Sequence, residues 1–216
     1  MSALPFAPAD ALRHLARVDA PLGRLIAHVG PFTLAPRTET ELFAYLLRAI
    51  TGQQLSTKAA ATIYGRVEAL FEASPEPAAL LALPEEALRG AGLSRAKLAA
   101  ARDLARKTLD GTIPARADAL TPLSDDEIVA LLTQVRGVGR WTVEMLLIFR
   151  LGRPDVLPAT DLGIRKGFMH TFGRPDLPAP AEILDHGTRW RPYRTVASWY
   201  LWRALERPAK GTTATE

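Results

Sequence analysis

Three features of this 216-residue sequence predict an all-α fold. Alanine, leucine and arginine dominate the composition. Apolar residues recur three and four positions apart along most of the chain, the period of helices with one buried face. Strand-like alternation is scarce, and only Phe32-Thr33-Leu34 reads as extended. The pattern amounts to about ten helices. At 48% hydrophobic the chain can bury one substantial core, or two lobes of a single folding unit.

Leu12, Leu15 and Val18 mark the first helix, and Leu22, Leu25, Ile26 and Val29 the second, which Gly30 and Pro31 end. A third helix runs from Glu39 to about Thr51 and empties into Gly52-Gln53-Gln54; a fourth begins near Ser56 and continues to Phe71. Pro75, Pro77 and Pro84 punctuate short helices before Gly90-Ala91-Gly92. Ser94 is the expected N-cap of a long helix, Arg95 to Leu109, with Leu98, Ala101, Leu104 and Ala105 inward. Ile128, Leu131, Leu132 and Val135, then Trp141, Met145, Leu146 and Phe149, give two more helices their apolar faces. A helix from Leu162 to Phe172, a proline-rich connector from Gly173 to Pro180 and a last helix from about Pro192 to Leu205 complete residues 1–207. The small, polar residues 208–216 are expected to be a disordered tail. The sequence contains no evident repeat, heptad run or charged block.

Composition excludes several function classes. With no cysteine, the chain can form neither disulfides nor zinc thiolate sites nor cysteine-ligated iron–sulfur clusters. No stretch approaches the ~18 consecutive apolar residues of a membrane span, and the N-terminal residues lack a basic region followed by an apolar one. A soluble cytoplasmic protein is expected, with no membrane partner. The formal charge is +4 and the pI about 9.7, and arginine, whose planar fork of donors suits phosphate, far outnumbers lysine. A nucleic-acid partner fits that balance. His14, His28, His170 and His186 form no HxxxH pair, and the chain has neither a GxSxG elbow nor a GxxxxGK[ST] loop.

The most informative stretch runs from Leu131 to Asp161. Its two helices, within about 131–150, meet at Arg136-Gly137-Val138-Gly139. Glycines permit positive φ and close approach of a ligand. The following helix starts with unpaired N–H groups that favour an anion. Phosphate can sit there. A plain αα-hairpin with a glycine turn is the alternative. Asp161 directly precedes a helical pattern, where aspartate is among the best N-caps. A carboxylate in that position is stabilised in its charged form.

The LxxxxGVGxxT pattern followed by P158ATD161 resembles the helix-hairpin-helix DNA glycosylase superfamily. The likeness extends to I50TGQQLS56 and W190RPYRTVASWYLW202, and within the superfamily it is nearest the DNA-3-methyladenine glycosylase II, or alkylbase glycosylase, type. That resemblance implies two helical lobes with hairpin and aspartate at the mouth of a cleft. Alkylbase members often carry an extra N-terminal β domain, but with only about 35 residues ahead of the helical body none is expected here. It implies a monomeric enzyme that flips alkylated purines out of double-stranded DNA and hydrolyses the N-glycosidic bond. Asp161 takes the family's catalytic position, where an ionised carboxylate stabilises an oxocarbenium-like sugar. Gln54 takes the place of the residue that plugs the gap left by the flipped base, with Leu55 the neighbouring alternative and Gln53 packing nearby. A capped turn is the simpler account of both glutamines. Trp141 and Trp202 match positions lining the base pocket, where a cationic base would meet an aromatic face.

Gly137, Gly139, Arg140 and Thr142 at the hairpin, with Arg165 and Lys166 after the aspartate, are the expected contacts to DNA backbone, although a solvated face explains Arg165 and Lys166 equally. Gly92-Leu93-Ser94 reads as a capped helix start, with a second backbone contact as the alternative. The family's hairpin carbonyls hold a monovalent cation, Na or K; Thr133, Val135 and Val138 match them. No other cofactor is implied. Trp141 replaces the lysine that forms a Schiff base in strand-cleaving members. A glycosylase/lyase acting on oxidised bases is therefore the second reading. A non-catalytic DNA-binding module is the third, against which Asp161 argues.

Overall fold

The computed structural model describes residues 4–36 and 41–206. The expected tail at 208–216 and the expected helix start at Glu39 lie outside them. The described residues are helical, with no strand and one isolated antiparallel bridge, Glu41 to Arg116. The helices are α1 (Pro8–Val18), α2 (Ala20–Val29), α3 (Leu42–Gly52), α4 (Thr57–Glu68), α5 (Pro77–Ala82), α6 (Glu85–Gly90), α7 (Arg95–Leu109) and α8 (Asp125–Leu132). After these come α9 (Arg140–Phe149), α10 (Leu162–Thr171), α11 (Pro180–His186) and α12 (Arg194–Arg203), with 3-10 turns at Ala117–Leu120 and Gly187–Trp190. The chain falls into two compact units. The central unit is Thr38–Leu146; the terminal unit joins Met1–Arg37 to Leu147–Glu216.

In the central unit, α3 and α7 pack against each other. Leu42, Phe43, Leu46, Leu47 and Ile50 of α3 and Leu98, Ala101, Leu104 and Ala105 of α7 are buried, the latter four as the spacing predicts. Ser56, Ser94 and Ser124 cap α4, α7 and α8, each accepting a backbone N–H three residues on. At Ser124 the cap is a full box, because Glu127 bonds back to the Ser124 N–H at 2.7 Å.

The terminal unit packs around aromatic side chains. Trp190 and Tyr200 are fully buried, and Phe168 stacks on Phe172 with ring centroids 4.3 Å apart. Phe32-Thr33-Leu34 forms no strand; Phe32 is instead fixed by its side chain, edge-on to Trp199 at 5.1 Å. The α10 and α12 backbones cross so closely at Gly167 that a Cβ there would collide with the Leu201 carbonyl. Asp19, the N-cap of α2, is buried and accepts from Leu22 N (3.1 Å), Trp190 Nε1 (2.8 Å) and His186 Nε2 (2.7 Å). Burial alone would push its carboxyl up, but the bonds from His186, Trp190 and Leu22 outweigh it and hold the group below the usual aspartate range.

The structure adds to one expectation and corrects another. Between the proline-rich connector and the last helix, where the sequence pattern assigns no element, α11 and a 3-10 turn occupy 180–190. Seven residues with only Ile183 buried are too few to show a helical stripe. In α9 the predicted face of Trp141, Met145, Leu146 and Phe149 is not the buried one. Val143, Leu147 and Ile148 are buried with Leu146, whereas Trp141 and Phe149 are 46% and 37% exposed. A helix buried nearly all round has no single apolar stripe to read.

Candidate functional site

In the terminal unit, residues 153–160 deliver Asp161. This segment is clamped to the start of α12: Arg194 bonds Asp155 through Nε (2.8 Å) and a terminal nitrogen (3.0 Å), and Arg191 adds a third bond at 2.9 Å. Thr195 Oγ1 accepts from Val156 N at 3.0 Å and donates to Arg153 O, while Ser198 Oγ donates to Val156 O. These ties explain why R191PYRTVAS198 carries so many polar residues at a helix start that is otherwise buried. Asp161 emerges as the N-cap of α10, as the sequence predicts. Its Oδ1 accepts from Ile164 N and from Trp202 Nε1, both at 2.9 Å. A carboxylate held by a helix N-terminus and an indole N–H keeps one orientation.

Trp202 thus contacts the carboxylate directly, a relation its sequence position did not reveal. Its ring also stacks on Phe149, with centroids 5.7 Å apart. Gly163 makes the pairing possible: a Cβ on it would lie 2.8 Å from Trp202 Cδ1 and 2.9 Å from Asp161 Oδ1. Its place two residues after Asp161 was the one available signal. Arg165 Nε donates to the Pro178 carbonyl at 2.9 Å, tying down the connector, whereas Lys166 is exposed.

In the central unit, α8 ends at Leu132 with Thr133 as its C-cap, and the chain turns through Gly137 into α9. Gly137 has φ +77°, a left-handed value that a side chain would strain. Gly139 needs no such freedom, but a Cβ there would meet nothing within 4 Å. The space in front of it is open. At the start of α9, Val143 N donates to Gly139 O at 3.3 Å. Of the other expected backbone contacts, Arg140 is exposed and pairs with Glu144 (3.1 Å), while Thr142 is only 6% exposed, which limits its side chain as a contact to an outer phosphate.

The hairpin is held from α7 and from the turn after α3. Asp103 Oδ2 accepts from Arg136 N (2.8 Å) and from Lys107 Nζ (2.9 Å), and Lys107 also donates to the Gln134 carbonyl. Burial would raise the Asp103 carboxyl, but the Arg136 N–H and the Lys107 ammonium hold it below its ordinary value. Gln53 Nε2 donates to Gly137 O at 2.6 Å. Thr133, Val135 and Val138 stand on the same turn, with Val135 O accepting from Val138 N at 3.0 Å.

Gln54 and Leu55 are both exposed. With Trp141, Thr142, Met145 and Arg48 they line a pocket of about 450 Å³ that lies wholly in the central unit. The structure therefore gathers the expected wedge residues and one expected base-pocket tryptophan around a single cavity, and places Asp161 with the other tryptophan. Among the described residues no cluster of three or more His, Asp or Glu side chains suits a metal ion, and no helix is long and apolar enough to cross a membrane.

Comparison with known proteins shows the family. Residues 47–192 match the model of the HhH-GPD superfamily base excision DNA repair protein. The chain is 38% identical over 193 residues to DNA-3-methyladenine glycosylase 1 of Schizosaccharomyces pombe, an alignment covering 88% of this chain and 84% of that one. It is similar in structure to the S. pombe 3-methyladenine DNA glycosylase Mag1 in complex with abasic DNA, with a TM-score of 0.81, 38% identity, and coverage of 90% and 95%. The DNA-3-methyladenine glycosidase of Bacillus halodurans gives the same TM-score at 35% identity, over 90% of this chain and 88% of that one. The matched segment runs through the Gly52–Leu55 turn, the hairpin and Asp161, and the chain belongs to the HhH-GPD superfamily of base excision DNA repair proteins.

Proposed function

We propose that this chain is a monofunctional DNA glycosylase that extrudes alkylated purines of the 3-methyladenine type from duplex DNA and hydrolyses their N-glycosidic bond, opening base excision repair. The observation that carries the reading is the Asp161 carboxylate, oriented through Oδ1 by Ile164 N and Trp202 Nε1 in a chain whose similar proteins are named 3-methyladenine glycosylases. A fixed anion stabilises the positive charge that develops on the sugar as the C1′–N bond breaks. The electron pair of that bond leaves with the base, which for a cationic alkylpurine departs neutral. Water then adds at C1′ and releases a proton. No protein amine need attack, and Trp141 supplies none.

The hairpin grips a phosphate through the backbone around Gly137 and Gly139, without reading sequence. Gln54 fills the gap left by the extruded base, and Trp141 offers that base an aromatic face. Neutral carbonyls such as those of Thr133, Val135 and Val138 suit a monovalent cation better than a divalent one, and such an ion would brace the turn while adding positive charge toward the phosphate. We read the protein as an intracellular monomer with no other cofactor.

The test is base release from duplexes carrying methylated or oxidised purines, followed on the same DNA by borohydride. The methylated duplex should lose its base and keep an intact strand until alkali is added, with no protein trapped. Efficient trapping, or release of oxidised bases only, would replace this reading with that of a glycosylase/lyase.

A further inference from the structure

Gly52 to Leu55 form a tight turn closed by Leu55 N to Gly52 O at 3.3 Å. Gln53 has φ −54° and ψ 136°, and Gln54 has φ +59°. These are the angles of a type II β-turn, in which the third residue takes a left-handed conformation that suits glycine. Among the described residues Gln54 alone takes positive φ without being glycine. A long side chain held there strains the backbone. The turn must therefore be fixed by something outside itself, and two bonds do so. Lys97 of α7 donates to the Thr51 carbonyl at 2.7 Å, closing the C-terminal end of α3 where a cation is favoured. Gln53 donates to Gly137 O at 2.6 Å. Gly137 is itself left-handed, so one hydrogen bond joins the turn that carries Gln54 to the left-handed turn of the hairpin.

We infer that Gln53 is a positioning residue that registers the wedge to the hairpin: its amide sets the angle at which Gln54 leaves the turn relative to the backbone groups that grip phosphate. Insertion into the stack and the hold on the strand then act as one rigid piece. A wedge free to swing would lose the orientation that makes base extrusion effective. The inference rests on the proposed roles of Gln54 as wedge and of the hairpin as phosphate seat.

The experiment measures single-turnover base release from an oligonucleotide carrying one 7-methylguanine, as a stable duplex and as a single strand, with thermal unfolding followed in parallel. Gln53→Ala and Gln53→Glu should each lose about tenfold more rate on the duplex than on the single strand, because only the duplex demands unstacking. Glutamate keeps the size but has no N–H to donate, which separates the hydrogen bond from packing. Gln53→Lys, which regains a donor, should recover part of the difference. Gln53→Ala combined with Gln54→Ala should be no worse than Gln54→Ala alone, as expected of two residues serving one act. A Gln53→Glu protein with the wild-type duplex-to-single-strand ratio, or losses at the two positions that multiply, would overturn the coupling while leaving the wedge in place. Absence of any duplex-specific loss in Gln54→Ala would overturn the wedge and the coupling together.

Discussion

Trp202 and Gln53 each donate one side-chain hydrogen bond to a functional turn, yet the two bonds fix different things. In the terminal unit Trp202 holds a side-chain carboxylate, with Ile164 N on the same oxygen and Gly163 leaving room for both. In the central unit Gln53 holds a main-chain carbonyl, and Asp103 holds a main-chain N–H of the same hairpin. One region presents a single charge. The other presents a shaped stretch of backbone. Chemistry on one atom requires that atom to be placed, whereas gripping a strand of any sequence requires only dipoles and space.

That contrast predicts which measurements each region controls. The largest effect short of removing the carboxylate should come from Gly163→Ala, whose Cβ has no place between Trp202 and Asp161. Base release should fall on the order of a hundredfold, and Trp202→Phe, which removes the indole donor and part of the ring but keeps an aromatic face, should fall less, by about tenfold. Binding to undamaged duplex should stay close to wild type in both. A parallel loss of binding would erase the division between the regions.

On the hairpin side the order reverses. Gly139→Ala meets no protein atom, so it should fold normally and weaken binding to any duplex about fivefold through the lost close approach, with a flatter dependence on salt. Undiminished binding would return the hairpin to a plain turn. The smallest effect concerns acid. Asp103 has a lowered folded value, so its bonds to Arg136 N and Lys107 stabilise the hairpin above the ordinary aspartate range, and that contribution is lost as pH falls through the lower folded value. Relative to Asp103→Asn, wild-type affinity for undamaged duplex should decline modestly in that acid window and be level above it. Identical acid profiles would remove Asp103 from the clasp.

How much of this was legible in sequence depended on the range of the interaction. The caps at Ser94 and Asp161 act over three residues and were read directly; Ser124-Asp125-Asp126-Glu127 carried an equally local signal. The hairpin glycines were visible too, although the sequence could not say that Gly137 serves conformation and Gly139 serves space. Residues joined across long separations left no trace: Gln53 to Gly137, Asp103 to Arg136, Trp202 to Asp161. The face of α9 was misread because a helix buried nearly all round shows no stripe, and its two exposed aromatics were the ones with other work, Trp141 at the pocket and Phe149 against Trp202.

The account stands most directly on Asp161→Asn, assayed by single-turnover release of 7-methylguanine and, on the same duplex, by equilibrium binding. Asparagine keeps the side-chain oxygen that caps α10 and meets Trp202, so fold and orientation are retained while the charge is removed. The predicted result is a release rate down by at least ~100-fold with lesion affinity within about threefold of wild type. Release at nearly the wild-type rate, or a loss of rate matched by loss of binding, would contradict it.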